Sequence, residues 1–324
     1  MFFMGKNGLK LIFILLFMFM VKGAHSQEQK TRFKYNRNPF VIIVNMDSLY
    51  QSDNYRASID YNLSDLDSSG KLKRFACYRL AQNYSLLRIE DSAFYYLNNY
   101  IDENNPTDYR SVYVEQDFEC LRNNKKEWKK VIDRIENLYL EELDSNMNKD
   151  ISLKLFRMGI NDQKYLAYRI ISNRRGKAVT PIEIINIERK NKKQLKKIIR
   201  KYGIPTPSMV GLTACEDAFF VLQHSIIEDK YYYMVQEAYE RGDYPAQYYA
   251  LLTDRWRIQS DEKQLYGTQF SNIRDENGKI KDVVLCPVED FKNLNERRRK
   301  IRLGTIEEYA LHMKGRIPEE YYKE

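Results

Sequence analysis

The chain has 324 residues, of which 43% are apolar and 30% charged, and its formal net charge is +8. The apolar content supports a packed core, and a chain of this length predicts two domains at about 100–200 residues each. The sequence contains no phosphate-binding loop, G-x-G-x-x-G fingerprint, G-x-S-x-G elbow or H-E-x-x-H motif. It therefore lacks the common signatures of nucleotide-binding proteins, dinucleotide-dependent enzymes, serine hydrolases and zinc proteases.

Residues 1–26 have the three parts of a cleavable secretory signal. A basic start that includes Lys6 precedes the apolar run Leu11–Val21, and Ala24 and Ser26 form the cleavage site. The run is about half of the ~20 residues that span a bilayer, so an uncleaved anchor is the weaker interpretation. The sequence therefore predicts an exported protein, periplasmic or secreted, without a stable membrane anchor after cleavage. Cleavage lowers the charge to about +5, and together with export this predicts no nucleic-acid partner.

Cysteine and histidine usage gives no metal-binding signature. The four cysteines are widely spaced and form no C-x-x-C pair: Cys77, Cys120, Cys215 and Cys286. Export permits disulfides, but buried free thiols are the favoured interpretation. Only two histidines, His224 and His312, follow the predicted signal. We therefore expect no metal and no cofactor.

The first predicted domain, residues 27–145, consists of helices. Cys77, Leu80, Ala81 and Tyr84 share one helix face, and Ala93, Leu97 and Tyr100 share the next. Ala57 precedes Ala93 by about one repeat of ~34 residues. This pattern resembles tetratricopeptide repeats, and the resemblance implies a concave surface for a protein or peptide partner. The alternative is that these repeats only support the second domain.

The second predicted domain, residues 146–324, is mainly helical with one β-hairpin near 264–285. Asn277-Gly278 is a strong hairpin turn signal between the two strand-like segments. Gly267, inside the first segment, predicts a bulge or a close approach by another group. The predicted fold class is thus mainly α, with N-terminal helical hairpins followed by an α+β domain.

The helix predicted from Pro181 to Lys201 carries eight basic residues between Arg189 and Lys201, with both ends included. Leu195, Ile198 and Ile199 form a narrow apolar strip beneath them. Two interpretations follow, a solvated helix face and an anion-binding patch, and the solvated face is favoured.

Three residues are candidates for catalysis. His224 is the natural general acid or base, because imidazole titrates near neutral pH. Asp217 lies two helical turns before it on the same face, and either Asp217 or Glu289 is expected to orient the imidazole. Arg255 lies within the apolar arc of a later helix, where it either pairs with a buried carboxylate or binds an anionic substrate group.

Five further polar residues are candidates for substrate binding. They lie beside His224, next to Gly267, or in the segments after the hairpin: Gln223, Gln269, Tyr266, Glu289 and Arg298. Arg298 is the alternative to Arg255 as the anion-binding arginine.

Several short motifs in this domain occur in a characteristic order. They are Asp162-Gln163, Gly203-x-Pro205, Gln223-His224, Asp254-Arg255, Tyr266-Gly267-Thr268-Gln269, Pro287-Val288-Glu289-Asp290 and Glu296-Arg297-Arg298. Together they resemble a bacterial domain family of unknown function, over about residues 150–312. The resemblance implies that these polar positions belong together, but it brings no activity with it.

Three functional hypotheses follow from these residues. The first is an enzyme, a hydrolase or transferase of an extracytoplasmic substrate, with His224 as acid or base. The second is a binding or scaffold protein that holds a partner with its helical repeats. The third is that the polar residues form a structural network. Full burial of His224, Arg255 and Gln269 would favour the structural network. Exposure of these residues to solvent would favour the enzyme or the binding protein.

Overall fold

A computed structural model describes residues 48–64, 74–102, 109–171, 180–224 and 227–322. The predicted signal, residues 1–26, lies outside these ranges. The described residues form two compact units, one within residues 39–145 and 163–180 and the other within 146–162 and 181–324. Within these ranges the predicted fold class is confirmed, because the chain is mainly helical with one antiparallel β-hairpin. None of the described helices is long and apolar enough to span a bilayer.

The first unit consists of short and medium helices. In chain order they are α1 Ser48–Gln51, α2 Tyr55–Leu63, α3 Arg74–Leu86, α4 Glu90–Asp102, α5 Arg110–Val114, α6 Glu119–Asn123 and α7 Lys125–Glu141. Helices α3 and α4 form a hairpin in which Ala81 and Ala93 are fully buried. The rings of Tyr78 and Tyr100 pack between these helices, 4.8 Å apart. Small residues thus let the two helices approach closely, and aromatic rings fill the remaining space.

Two buried carboxylates lie next to this hairpin. Tyr78 donates to Glu115 Oε2 at 3.0 Å, and Gln82 donates to Asp117 Oδ2 at 3.1 Å. Tyr50 donates a further hydrogen bond to Asp117. Burial, and then the negative charge of Asp117, raise the pKa of Glu115 to about 7. Glu115 therefore holds a proton in the folded state at pH values where the unfolded chain does not.

The stability of the first unit should consequently decrease as the pH rises. The pKa of Glu115 is higher in the folded state, so the folded state binds more protons between pH 4.5 and about 7. The free energy of unfolding is then highest below this window and falls by about 3 kcal/mol across it. Urea unfolding followed by Trp128 fluorescence should show this loss, and Glu115→Gln should remove it. An exposed glutamate, Glu119→Gln, is the matched control, and equal pH dependence in both variants would contradict the assignment.

The second unit contains longer helices and the hairpin. Its elements are α8 Lys149–Ile171, α9 Pro181–Tyr202, α10 Pro207–Val210, α11 Leu212–Gln223, α12 Asp229–Glu240, α13 Ala246–Gln259, β1 Phe270–Arg274, β2 Ile280–Leu285, α14 Leu294–Lys300 and α15 Ile306–His312. The last part of α8, after residue 162, groups with the first unit. Helix α11 is buried along most of its length, as its apolar sequence predicts. It ends at Gln223, and a break at Gly211, with φ +78°, separates it from α10.

The hairpin is shorter at its start than the sequence predicts. The strand begins at Phe270, whereas the predicted segment begins at residue 264. The backbone N–H groups of Leu265, Tyr266 and Thr268 donate to the buried carboxylate of Asp254, so they cannot join a strand ladder. A Cβ on Gly267, at φ +66°, would lie 2.9 Å from Ile306 Cδ1. The group that approaches Gly267 is therefore a side chain of the core.

The four cysteines are free thiols, and three of them are buried. Burial raises the pKa of the Cys215 thiol well above its usual range. The favoured interpretation of the cysteines, packing as small apolar side chains, agrees with this arrangement.

Candidate functional site

A histidine–aspartate pair joins helices α8 and α11. His224 follows the last residue of α11, and its Nδ1 lies 2.7 Å from Asp162 Oδ2 on α8. The Asp162 side chain is 2% exposed and the His224 side chain 10% exposed. Since a carboxylate only accepts, Nδ1 carries the hydrogen in this contact. No other described side chain makes a polar contact with the imidazole, so Nε2 is left to exchange a proton.

Close packing of α8 against α11 sets up this contact. Ser152 Oγ on α8 donates to Val210 O at 2.8 Å, immediately before α11 begins. Further along, a Cβ on Gly159 would lie 1.8 Å from Asp217 Oδ1, so only glycine fits there. The two helices therefore run alongside each other in the same direction. Asp162, about one turn after Gly159, then reaches the end of α11 where His224 lies.

The structure places Asp217 two turns away from the imidazole, where it is fully buried against α8 at Gly159. Glu289 is half exposed and pairs with Arg257. The carboxylate that contacts His224 is thus Asp162, which the sequence offered only as part of its Asp162-Gln163 motif. Asp162 lies far from His224 along the chain, and no helical spacing relates the two.

Arg255 lies toward the same end of the bundle. The ring of Tyr248 on α13 stacks on Phe219 of α11 at 4.6 Å, and Ile227 N donates to Gln259 at 2.9 Å. Helix α13 therefore runs beside α11 in the same direction, and Arg255 lies on α13 between the residues that make these two contacts. The predicted binding residue Gln223 is buried in the last turn of α11.

The charge of Arg255 is modulated by its surroundings. The side chain keeps partial exposure, but desolvation lowers its pKa to about 10, while the carboxylate of Glu188 on α9 acts in the opposite direction. The guanidinium therefore remains charged at neutral pH. Glu188 lies one turn before Asn191, whose amide donates to Met158 O on α8 at 3.2 Å. Glu188 belongs to this end of the bundle and was not among the residues singled out from the sequence.

A second polar cluster is buried and is held together by hydrogen bonds to the backbone. Its centre is Asp254, fully buried on α13, whose carboxylate accepts four hydrogen bonds of 2.7–2.8 Å. Three come from backbone N–H groups of residues 265–268, and the fourth from the Thr268 hydroxyl. Burial raises the pKa of Asp254, and these hydrogen bonds partly offset the effect. Asp254 and its neighbour Arg255 thus lie in distinct environments on one helix.

The two arginines of the Glu296-Arg297-Arg298 motif hold the same segment from its other side. Arg298, 2% exposed, donates to Tyr266 O and to Gly304 O, both at 2.6 Å. Arg297 donates to Leu265 O at 3.0 Å and to the Asp290 carboxylate at 3.2 Å. Both of these Arg298 hydrogen bonds end on backbone carbonyls, so this cluster fixes the loop before β1.

Two predicted binding residues, Gln269 and Tyr266, belong to the Asp254 cluster. Gln269 is 5% exposed, and its amide donates to Thr268 Oγ1 at 3.0 Å. Burial raises the pKa of Tyr266 to about 12, so its phenol stays neutral. His224 and Gln223 thus lie at the end of α11, whereas Gln269, Tyr266 and Arg298 group around Asp254.

Within the described part of the chain, no group of three or more histidine, cysteine, aspartate or glutamate side chains could hold a metal ion.

Comparison with known proteins gives one match. The model of a family of unknown function, DUF6624, matches residues 152–317. No curated protein and no solved structure matches the chain. The matched range contains both polar clusters, from Asp162 to Arg298.

Proposed function

The chain belongs to the family of unknown function DUF6624, and we propose that its C-terminal domain is a hydrolase or transferase in which His224 acts as general acid and base. The observation that carries this proposal is the 2.7 Å contact between His224 Nδ1 and Asp162 Oδ2. The predicted N-terminal signal makes the substrate extracytoplasmic.

The pair has the arrangement that a general base requires. Nε2 accepts a proton from water, or from an acceptor hydroxyl, as its oxygen attacks the electrophilic atom of the substrate. The bond to the leaving group then breaks, and Nε2 returns the proton to the leaving atom. Asp162 keeps Nδ1 protonated and stabilises the imidazolium that forms between the two transfers.

Arg255 gives the site a preference for anions. It stays charged at neutral pH, because its pKa of about 10 lies well above 7. A guanidinium binds a carboxylate or phosphate with two parallel hydrogen bonds. We therefore propose a substrate with an anionic group close to the bond that breaks.

Solvent exposure separates this site from the structural cluster. The His224 side chain is 10% exposed and Arg255 is half-buried with its Nε enclosed, whereas Asp254, Gln269 and Arg298 are 0–5% exposed. A purely structural network has no need for the first two to reach solvent. The exposure difference therefore favours a site role for His224 and a structural role for the Asp254 cluster.

A second role, in the first unit, is compatible with this enzyme. Two tyrosines on its helices are largely exposed, Tyr61 at 59% and Tyr95 at 61%. Aromatic side chains of this kind are common anchors for protein or peptide partners. We propose that the helical hairpins hold such a partner, and a chain carrying Tyr61→Ser and Tyr95→Ser that still captures its partner would argue against it.

The enzyme proposal is tested by comparing the protein with His224→Ala across a panel of esters, amides, glycosides and phosphodiesters that carry an anionic group. At least one activity should be present in the natural protein and lost in His224→Ala, because general acid–base catalysis contributes about 10²–10⁴-fold. His312→Ala is the matched control and should keep that activity. An activity that survives in folded His224→Ala would contradict the proposal.

A further inference from the structure

Helix α9 exposes one continuous stripe that the proposed reaction does not use. At 100° per residue, eight residues fall within an arc of about 120° on the outer side of the helix. Two are Asn186 and Lys196, and the other six form the stripe: Ile182, Ile185, Arg189, Lys193, Lys197 and Arg200. All six are exposed, with Ile182 at 70% and Ile185 at 46%. The opposite side is buried through Asn191, Leu195 and Ile198.

The stripe has an apolar end and a cationic end. The two isoleucines occupy the first turns of α9, and the four basic residues follow at helical spacing toward its last turn. Within the described residues no carboxylate pairs with these four cations, whereas the neighbouring Lys196 pairs with Glu228. Four unpaired positive charges in one row form a surface that attracts a negatively charged partner.

We propose that this α9 stripe docks the protein reversibly on an anionic lipid bilayer, with Ile182 and Ile185 inserted at the interface. Basic residues near an anionic leaflet gain favourable free energy, and exposed aliphatic side chains gain more when they enter the acyl boundary. A nucleic acid would use the cations but not the isoleucines. Such docking would bring the His224 domain close to substrates at a membrane surface, without a spanning helix.

Co-sedimentation with vesicles tests this surface, using the protein purified after any N-terminal processing. Binding to vesicles of phosphatidylcholine with phosphatidylglycerol should be strong at low salt, weaken as salt rises, and be much weaker for phosphatidylcholine alone. The variant carrying Arg189→Gln, Lys193→Gln, Lys197→Gln and Arg200→Gln should lose binding by on the order of 10²–10³-fold, at about fivefold per charge. The variant carrying Ile182→Ser and Ile185→Ser should lose about tenfold or more.

A charge-matched control removes four exposed cations elsewhere in the same unit: Lys279→Gln, Lys281→Gln, Lys292→Gln and Arg299→Gln. This control should bind anionic vesicles nearly as well as the natural protein. Equal loss in the control and stripe variants would overturn the proposal, because binding would then follow net charge alone. Stripe-dependent binding to duplex DNA that is tighter than vesicle binding would also overturn it.

Discussion

Asp162→Asn should lower the kcat/KM of the His224-dependent reaction by about 10²–10⁴-fold while the fold is retained. The substitution keeps the size of the side chain but removes the charge that stabilises an imidazolium. It also offers an amide N–H₂ that can donate to Nδ1, and this would leave the proton on Nε2, where a base cannot use it. The reaction found with the substrate panel provides the rate, and circular dichroism reports the fold.

Asp261→Asn is the matched control for this prediction, because Asp261 is exposed and lies outside both polar clusters. It should leave kcat/KM unchanged. A folded Asp162→Asn protein with the natural kcat/KM would show that Asp162 does not act through His224. The His224 role would then need another orienting group.

Asp254→Ala should be the most destabilising single substitution in the second unit, at about 4 kcal/mol. The substitution removes the acceptor of four hydrogen bonds. Three of the four donors are backbone N–H groups, which then have no acceptor from Asp254. Each such unsatisfied group costs about 1–3 kcal/mol, although the loop can relax in part. Urea unfolding followed by Trp256, two residues further along α13, measures the change.

Glu237→Ala, at an exposed position of α12, provides the control, with an expected change within about 0.5 kcal/mol. If Asp254→Ala unfolds the protein outright, Asp254→Asn gives a milder version, since its carbonyl oxygen can still accept from the loop. A loss below about 1 kcal/mol in Asp254→Ala would contradict a structural role for this cluster.

Much of the fold follows from local sequence patterns. The apolar spacing around Ala81 and Ala93 predicts the α3–α4 hairpin, and Asn277-Gly278 predicts the position of the β-turn. Thr305 caps the start of α15, where it forms a capping box with Glu308 three residues later. These features depend on residues close together in the chain, so the sequence alone carries them.

The first half of the predicted strand does not form, and the cause is a residue outside the segment. Residues 264–269 are strand-like in sequence, but Asp254, on a preceding helix, accepts three of their backbone N–H groups. Only the three-dimensional structure shows that this carboxylate is within reach.

The sequence also predicts only part of the candidate site. His224 and Arg255 stand out locally, because His224 directly follows an apolar helix and Arg255 lies within the apolar arc of its own helix. The partner of His224 is not local, since Asp162 belongs to a helix far earlier in the chain. The ordered motifs predict that the polar positions belong together, but they do not separate the buried Asp254 cluster from the His224 pair. Burial and hydrogen-bond partners make that separation.

The tautomer of His224 tests the central claim most directly. The chain has three histidines, so ¹⁵N-labelled histidine gives few signals, and His224→Ala assigns the one that matters. If Asp162 orients the imidazole, neutral His224 carries its proton on Nδ1, facing Asp162, and Asp162→Ala abolishes this preference. A neutral His224 protonated on Nε2 in the natural protein would contradict it, because that nitrogen could not then accept a proton from water or substrate.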